Sequence, residues 1–290
     1  MDFYLTALLQ GLCLSGIALG IYITMKIFNI PDITTDGSDT LGGAVSGILL
    51  SSQLPAGVIF PVVVITGALA GICTGLIHTK LKVNPLLSGI LVMTGLYSIN
   101  LTIMGRSNIP LLKYKTIFDK IYFVNDQNLN SLLVLLIIVL LLIILIGYVL
   151  KSDYGITMRA TGNSENMIRA LGVNTGRIKV VGLAIANALT ATSGFLMTQF
   201  QGFADINMGI GIVIVGLGSV IIADTFINWL NINSIWVSLV LVCLGAIVFQ
   251  LVLAFTLSIG IDPTLLKLMT ALFVLIIVSL PQFNLIKKTL

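Results

Sequence analysis

Long apolar runs, separated by short polar stretches, dominate the chain. A helix that crosses a bilayer needs about 20 mainly apolar residues. Runs of that kind fall at roughly 3–25, 38–54, 56–77, 85–104, 130–150, 179–200, 208–228, 234–257 and 264–281. The pattern predicts an all-α polytopic membrane protein with about nine transmembrane helices, or eight or ten if one segment is re-entrant or split. The weakest runs, 38–54 and 208–228, are rich in Gly and Ser and follow polar residues. Gly67, Gly71 and Gly75 recur at a spacing of four, as do Gly16 and Gly20. With Gly182, Ala186, Thr190 and Gly194 they form small-residue stripes that let helix backbones approach closely.

The longest polar interruption is 151–179, KSDYGITMRATGNSENMIRALGVNTGRIK, with five of the fifteen Lys/Arg residues. Within it Asn163 is a candidate N-cap, and Glu165 falls in the first turn, where a carboxylate favours the positive helix end. Met167, Ile168 and Leu171 would share a face, Arg169 lies near the end, and Gly172 supplies a left-handed stop. Two turns, about 12 Å, are too short to span a membrane and too short to be stable alone. The apolar face therefore needs a surface: either a partner protein or the bilayer. Asn174 and Thr175 would cap the helix that follows.

Composition narrows the class. The chain is 57% hydrophobic and 9% charged, against about 25% charged in a soluble domain, so it cannot cover a water-facing surface. No soluble block interrupts the runs, which predicts one membrane domain over 1–290 with 151–179 as a loop within it. The net charge of +4 is topology charge rather than a nucleic-acid footprint. With the 151–179 loop inside, ten Lys/Arg fall inside (including Lys26, Lys80, Lys82, Lys287 and Lys288) and five outside. Nine spans then put the N-terminus outside and the C-terminus in the cytoplasm. The outer 104–129 loop, with Tyr114, Phe118, Tyr122 and Phe123, either docks something extracellular or simply connects. Phe118, Tyr122 and Phe123 on that side, and Trp229, Trp236 and Tyr154 on the other, are candidate interfacial anchors. Cys13, Cys73 and Cys243 lie in apolar runs without metal-like spacing.

Two polar breaches stand out. Asp32, Thr34, Thr35, Asp36 and Asp39 precede or enter one Gly-rich segment; Asp205 and Asn207 precede the other. The match between DITTDG and DINMG is a faint internal echo, predicting pseudo-repeated halves with broken, Gly-rich segments. A carboxylate inside a span is costly and usually faces a cavity. These residues either lie near a solute path, from opposite halves, or cap broken helices at the membrane boundary.

The stretch MRATGNSENMIRALGVNTGRIKVVGLAIANALTATSGFL resembles the cytoplasmic loop and following helix of ABC-importer permeases of the branched-chain amino acid and ribose type. The matching positions are Arg159, Ala160, Ala170, Leu171, Gly172, Val173, Asn174, Arg177 and Lys179. DITTDGSDTLGG and GIGIVIVGLG resemble that family's polar-to-Gly segments. DITTDG with 84–112 looks like a bacterial branch often assigned to amino acid uptake, aromatic ones included. The resemblance, over about 3–281, implies a non-catalytic subunit in the bacterial cytoplasmic membrane. It implies a second permease chain, most simply a copy of this one, cytoplasmic ATPase subunits, and an extracytoplasmic solute-binding protein. It places ATPase coupling on 164–171, with Arg159, Ser164, Glu165, Met167, Ile168, Arg169, Leu171, Gly172 and Asn174. No G-x-x-x-x-G-K-[ST] loop is present, so no cofactor is expected on the chain itself and ATP would be handled by a partner. The competing class is a stand-alone secondary transporter driven by an ion gradient; it accounts for the intramembrane acids but not for the LGVN helix. A membrane enzyme would need acid–base or nucleophile partners, and the chain has one histidine, His78.

Overall fold

A computed structural model describes residues 2–232, 234–262 and 265–289. The N-terminal run forms two helices, α1 (Asp2–Cys13) and α2 (Ser15–Ile21), bent by 40°, and continues as a π-helical turn, Tyr22–Ile27. Then follow α3 (Thr34–Ser51), α4 (Ala56–Lys80), α5 (Pro85–Met104), the short strand β1 (Asn108–Pro110), α6 (Ile117–Lys120) and α7 (Gln127–Lys151). The polar interruption holds α8 (Asp153–Asn163) and α9 (Glu165–Ala170). The chain ends with α10 (Thr175–Gln201), β2 (Phe203–Asp205), α11 (Ile212–Trp229), α12 (Ile235–Ser258) and α13 (Leu266–Thr289).

This is an all-α, polytopic membrane protein. Among the described residues six helices, α4, α5, α7, α10, α11 and α12, are long and apolar enough to cross a membrane, or seven if the bent α1–α2 pair is one span. The run expected at 38–54 departs from that standard for a physical reason. Its helix begins at Thr34, so it takes in Thr35, Asp36, Ser38, Asp39 and Thr40, all of them buried inside the protein. The run expected at 264–281 coincides with α13, whose apolar part is described over 266–277. The side chains of Lys287 and Lys288 lie outside the described residues.

Helix α10 is the axis: 83% of its apolar window is buried within the chain. Its small residues receive glycines from three neighbours. Gly16 and Gly20 of α2 lie on the carbonyls of Leu189 and Ala186. Gly67 and Gly71 of α4 lie on those of Asn187 and Leu183, and Gly42 of α3 on that of Ala191. The expected stripes are thus the packing faces, and backbone–backbone approach replaces the hydrophobic effect as the source of cohesion. Larger groups fill what remains: Phe195 is fully buried and meets Phe60 edge-on at 5.8 Å.

Helix α3 runs alongside α10 but starts near its midpoint. Asp32 reaches Asn187 there, and Gly43 and Gly47 further along face Thr198 and Ala204. At the α3 C-terminal end, β1 and β2 pair antiparallel, Asn108 with Asp205 and Pro110 with Phe203, and clasp the α5–α6 connection to the end of α10. At the opposite, basic end, Lys26 bonds Asp224 at 2.6 Å and Lys151 lies over the Trp236 ring. One expected anchor is corrected: Phe118 is buried against Phe200, because Asn130 Nδ2 donates to the carbonyls of Phe118 and Ile121 and folds that loop inward. Tyr122, Phe123 and Trp229 are exposed.

Candidate functional site

The basic end carries the first candidate region. Residues 153–163 form a helix of their own, with Ser152 as N-cap and its Oγ accepting from Gly155 N–H. Asn163 is therefore the last residue of α8, not the cap of α9. Ser164, in extended backbone, separates the two helices and takes the cap position. The three apolar residues expected on one face of α9 are divided. Ile168 turns inward and is 6% exposed; Met167 and Leu171 are 59% and 70% exposed. The inner surface Ile168 needs is supplied by the chain itself, which leaves a two-residue apolar ridge facing away.

Glu165 fixes this helix. Lys179 Nζ donates to its Oε2 at 2.6 Å, Arg169 Nη2 to Oε1 at 2.7 Å, and Thr175 Oγ1 to Oε1 at 3.1 Å. The Lys179 hydrogen bond and charge, with Thr175 and Arg169, hold the carboxyl below the usual glutamate range despite partial burial. α9 is thereby tied to the first turns of α10. Gly172 stops it in the left-handed conformation, φ +83°, and Asn174 Oδ1 caps α10 by accepting from Arg177 N–H at 3.0 Å. Arg159 sits half-buried on α8.

The second region lies where α3 meets α10 and the start of α11. Asp32 accepts from Thr34 N–H at 2.9 Å and from Asn187 Nδ2 at 2.8 Å. Ser38 Oγ donates to Asn187 Oδ1 at 2.6 Å, Thr34 and Thr74 share a hydrogen bond at 2.7 Å, and Thr35 Oγ1 bonds the Asp32 carbonyl. The Asp36 carboxylate accepts from Gly211 and Val213 N–H, each at 2.9 Å, and so closes the N-terminus of α11. An anion at that end satisfies orphan amides and the helix dipole together. Gly209 N–H bonds Thr40 Oγ1, so the two echoing polar segments touch. Asp39 is fully buried, and its carboxylate has no hydrogen-bond partner among the described residues.

Of the acids expected together, Asp32, Asp36 and Asp39 gather on one helix start, whereas Asp205 and Asn207 belong to the strand clasp. Asp205 there accepts from Asn108 Nδ2 and Asn207 N–H. Asp36 meets the first amides of α11, Asp205 closes the turn that follows β2, and Asp32 is tied into a network. Sequence reading missed Asn187 and Thr74, the partners that complete this network. Asn187 was legible as the single amide in an otherwise small and apolar stretch of α10.

Helices sharing glycine faces, a polar network at the start of a buried helix, and a short exposed helix on a basic loop fit a membrane permease component. The chain belongs to the family described as branched-chain amino acid transport system / permease component, matched over residues 3–279, an ABC-importer permease family. It is similar to a tyrosine transport system permease protein of Clostridioides difficile, 38% identical over 290 residues, covering 100% of this chain and 95% of that one. An uncharacterised protein of Rickettsia prowazekii is 34% identical over 281 residues, covering 96% and 98%. A ribose import permease protein of Haemophilus influenzae is 25% identical over 211 residues, covering 72% and 64%. No solved structure matches the chain.

Proposed function

We propose that this chain is the non-catalytic membrane subunit of an ATP-driven importer for an amino acid, with an aromatic one as the leading candidate. The observation that carries the coupling is the α9 ridge: Met167 and Leu171 exposed on a helix that Glu165 pins to α10. Force applied to that ridge by a cytoplasmic ATPase passes through a charged joint into the helix around which α2, α3 and α4 pack. Arg159, Ser164, Ile168, Arg169, Gly172 and Asn174 shape and hold the joint. The solute assignment rests on the relative named for tyrosine transport, 38% identical along the whole chain.

In this reading 1–290 is one permease domain in the bacterial cytoplasmic membrane, with nine membrane segments once α3 and α13 are counted. The 151–179 loop and the C-terminus are cytoplasmic and the N-terminus is outside, as the Lys/Arg distribution favours. Two copies enclose the path, ATPase subunits bind and hydrolyse ATP, and a solute-binding protein delivers at the clasp end. The contact of the two echoing segments through Asp36 and Gly209 supports pseudo-repeated halves meeting at the path, with Asp32, Thr34, Thr35, Asp36 and Asp39 on one side. Asp205 and Asn207 would lie at its outer mouth. The test is reconstitution with the cognate ATPase and binding protein in proteoliposomes, scored by uptake of labelled tyrosine. Uptake should require internal-facing ATP and survive collapse of ion gradients. Uptake that persists without ATP and follows an imposed ion gradient would establish the secondary-transporter reading instead.

A further inference from the structure

A small cleft lies between α3, α5 and the loop before α11. Its volume is about 30 Å³, the size of a single water or ammonium group, and Asp36, Thr40, Met93, Tyr97, Asn100 and Ile210 contribute to its lining. Tyr97 and Ile210 at its rim are 47% and 45% exposed, whereas Asn100 is fully buried. Asn100 turns its Nδ2 to the Gly37 carbonyl at 3.2 Å and leaves Oδ1 with no hydrogen-bond partner among the described residues. An unmade bond on a buried amide oxygen is costly enough to call for an occupant that donates. The second acceptor is the Asp36 carboxylate. Its two bonds to Gly211 and Val213 leave lone pairs free, since an ionised carboxylate offers about four acceptor sites. Among the described residues no Lys, Arg or His lines the cleft, and the charge of Lys267 acts on Asp36 from outside it.

We propose that this cleft receives the primary ammonium group of the transported solute, with Asn100 Oδ1 and Asp36 as acceptors and Tyr97 as the rim against which the rest of the solute lies. The proposal rests on the permease reading and names the group of the solute that the chain itself reads. A carboxylate and a buried amide lining a volume of this size suit a small N–H-donating cation. A trimethylammonium group shares the charge but not the N–H donors, and the test separates the two.

The experiment uses the full chain in lipid nanodiscs carrying Tyr97→Cys and Cys73→Ala; Cys13 and Cys243 are buried. Labelling is timed with three methanethiosulfonate reagents, bearing ethylammonium, ethyltrimethylammonium or ethylsulfonate. Each rate is normalised to that of a Ser107→Cys chain, whose site is exposed. The ammonium reagent should be favoured over both others by about tenfold, the scale of a charge-assisted hydrogen bond. Adding Asn100→Leu, or Asp36→Asn should the first not assemble, should reduce that preference to about twofold or less. Equal rates for ammonium and trimethylammonium, or a preference that survives both substitutions, overturns the proposal. Because labelling needs neither ATPase nor binding protein, loss of ATP-driven uptake in the reconstituted system would refute the permease reading and leave this site standing.

Discussion

Gly42→Ala is the sharpest probe of how this protein coheres. A Cβ at position 42 would sit 2.0 Å from the Ala191 carbonyl oxygen, 2.7 Å from its carbon and 2.8 Å from its Cα. All three are backbone atoms of the central helix, so no side chain can swing aside. Relief requires α3 to move from α10 by about 1 Å, which forfeits dispersion along the shared face and strains a close-packed interior. The tie of Asp32 and Ser38 to Asn187 lies on the same interface, and its hydrogen bonds would lengthen with it. Overpacking costs about 1–3 kcal/mol, occasionally more. The helix-propensity gain of Ala over Gly, about 1 kcal/mol, offsets part of that. The net expectation is destabilisation of about 0–2 kcal/mol at position 42 against the unchanged chain, and of about 1–3 kcal/mol relative to an unhindered Gly→Ala. Gly57→Ala is the matched control: it lies on α4 with nothing within 4 Å of the added carbon, and should be neutral or stabilising. The assay is unfolding in mixed dodecylsulfate–maltoside micelles, followed by circular dichroism. If Gly42→Ala unfolds at the same detergent fraction as Gly57→Ala, glycine-mediated backbone contact is not what holds α3 to α10.

Other expectations follow from the two candidate regions. Asn187→Leu strips Asp32 and Ser38 of their shared partner and should cost about 1–3 kcal/mol, against less than about 1 kcal/mol for Thr192→Ala on the same helix, read in the same unfolding assay. Leu171→Asp or Met167→Glu should abolish co-purification of the ATPase while leaving the permease's own unfolding within about 0.5 kcal/mol, because both side chains are exposed. Glu165 is held below the usual glutamate range in the folded loop, so its contribution is present above the ordinary value near 4.3 and is lost as pH falls through the lowered folded value. Protection of residues 165–171, corrected for the intrinsic exchange rate, should therefore fall as pH drops below the usual glutamate range, and Glu165→Gln should show the lower protection already at pH 7.

How much of this was legible beforehand depended on where the information lies. Apolar runs report their own length, so most segment positions followed from the chain alone. The stripes Gly67-Gly71-Gly75 and Gly16-Gly20 announced close packing, because only small residues permit it. What they could not announce was the recipient. That α2, α3 and α4 converge on one helix is a property of the assembled bundle. The split face of α9 failed for a related reason. Periodicity puts Met167, Ile168 and Leu171 within one arc, but the boundary between inside and outside runs through that arc, at a place set by α8 and α10. α8 itself was missed because Gly155 and Gly162 weaken its helical pattern. Asp36 read either as a path residue or as a cap, and its amide partners, Gly211 and Val213, lie some 175 positions away, beyond the reach of any local pattern.

The central helix has a consequence for biogenesis. α10 is made only after more than half of the chain has entered the membrane, yet α2, α3 and α4 have their glycine faces built for it. Until residue 187 emerges, Asp32 and Ser38 lack the amide that satisfies them, and the glycine faces have only lipid or one another to rest on. Until then α3 can pack on α4 and α5 but lacks the face that α10 supplies. A truncation before α10 would leave a fragment that inserts but does not compact, and quality-control proteases would meet it in that form.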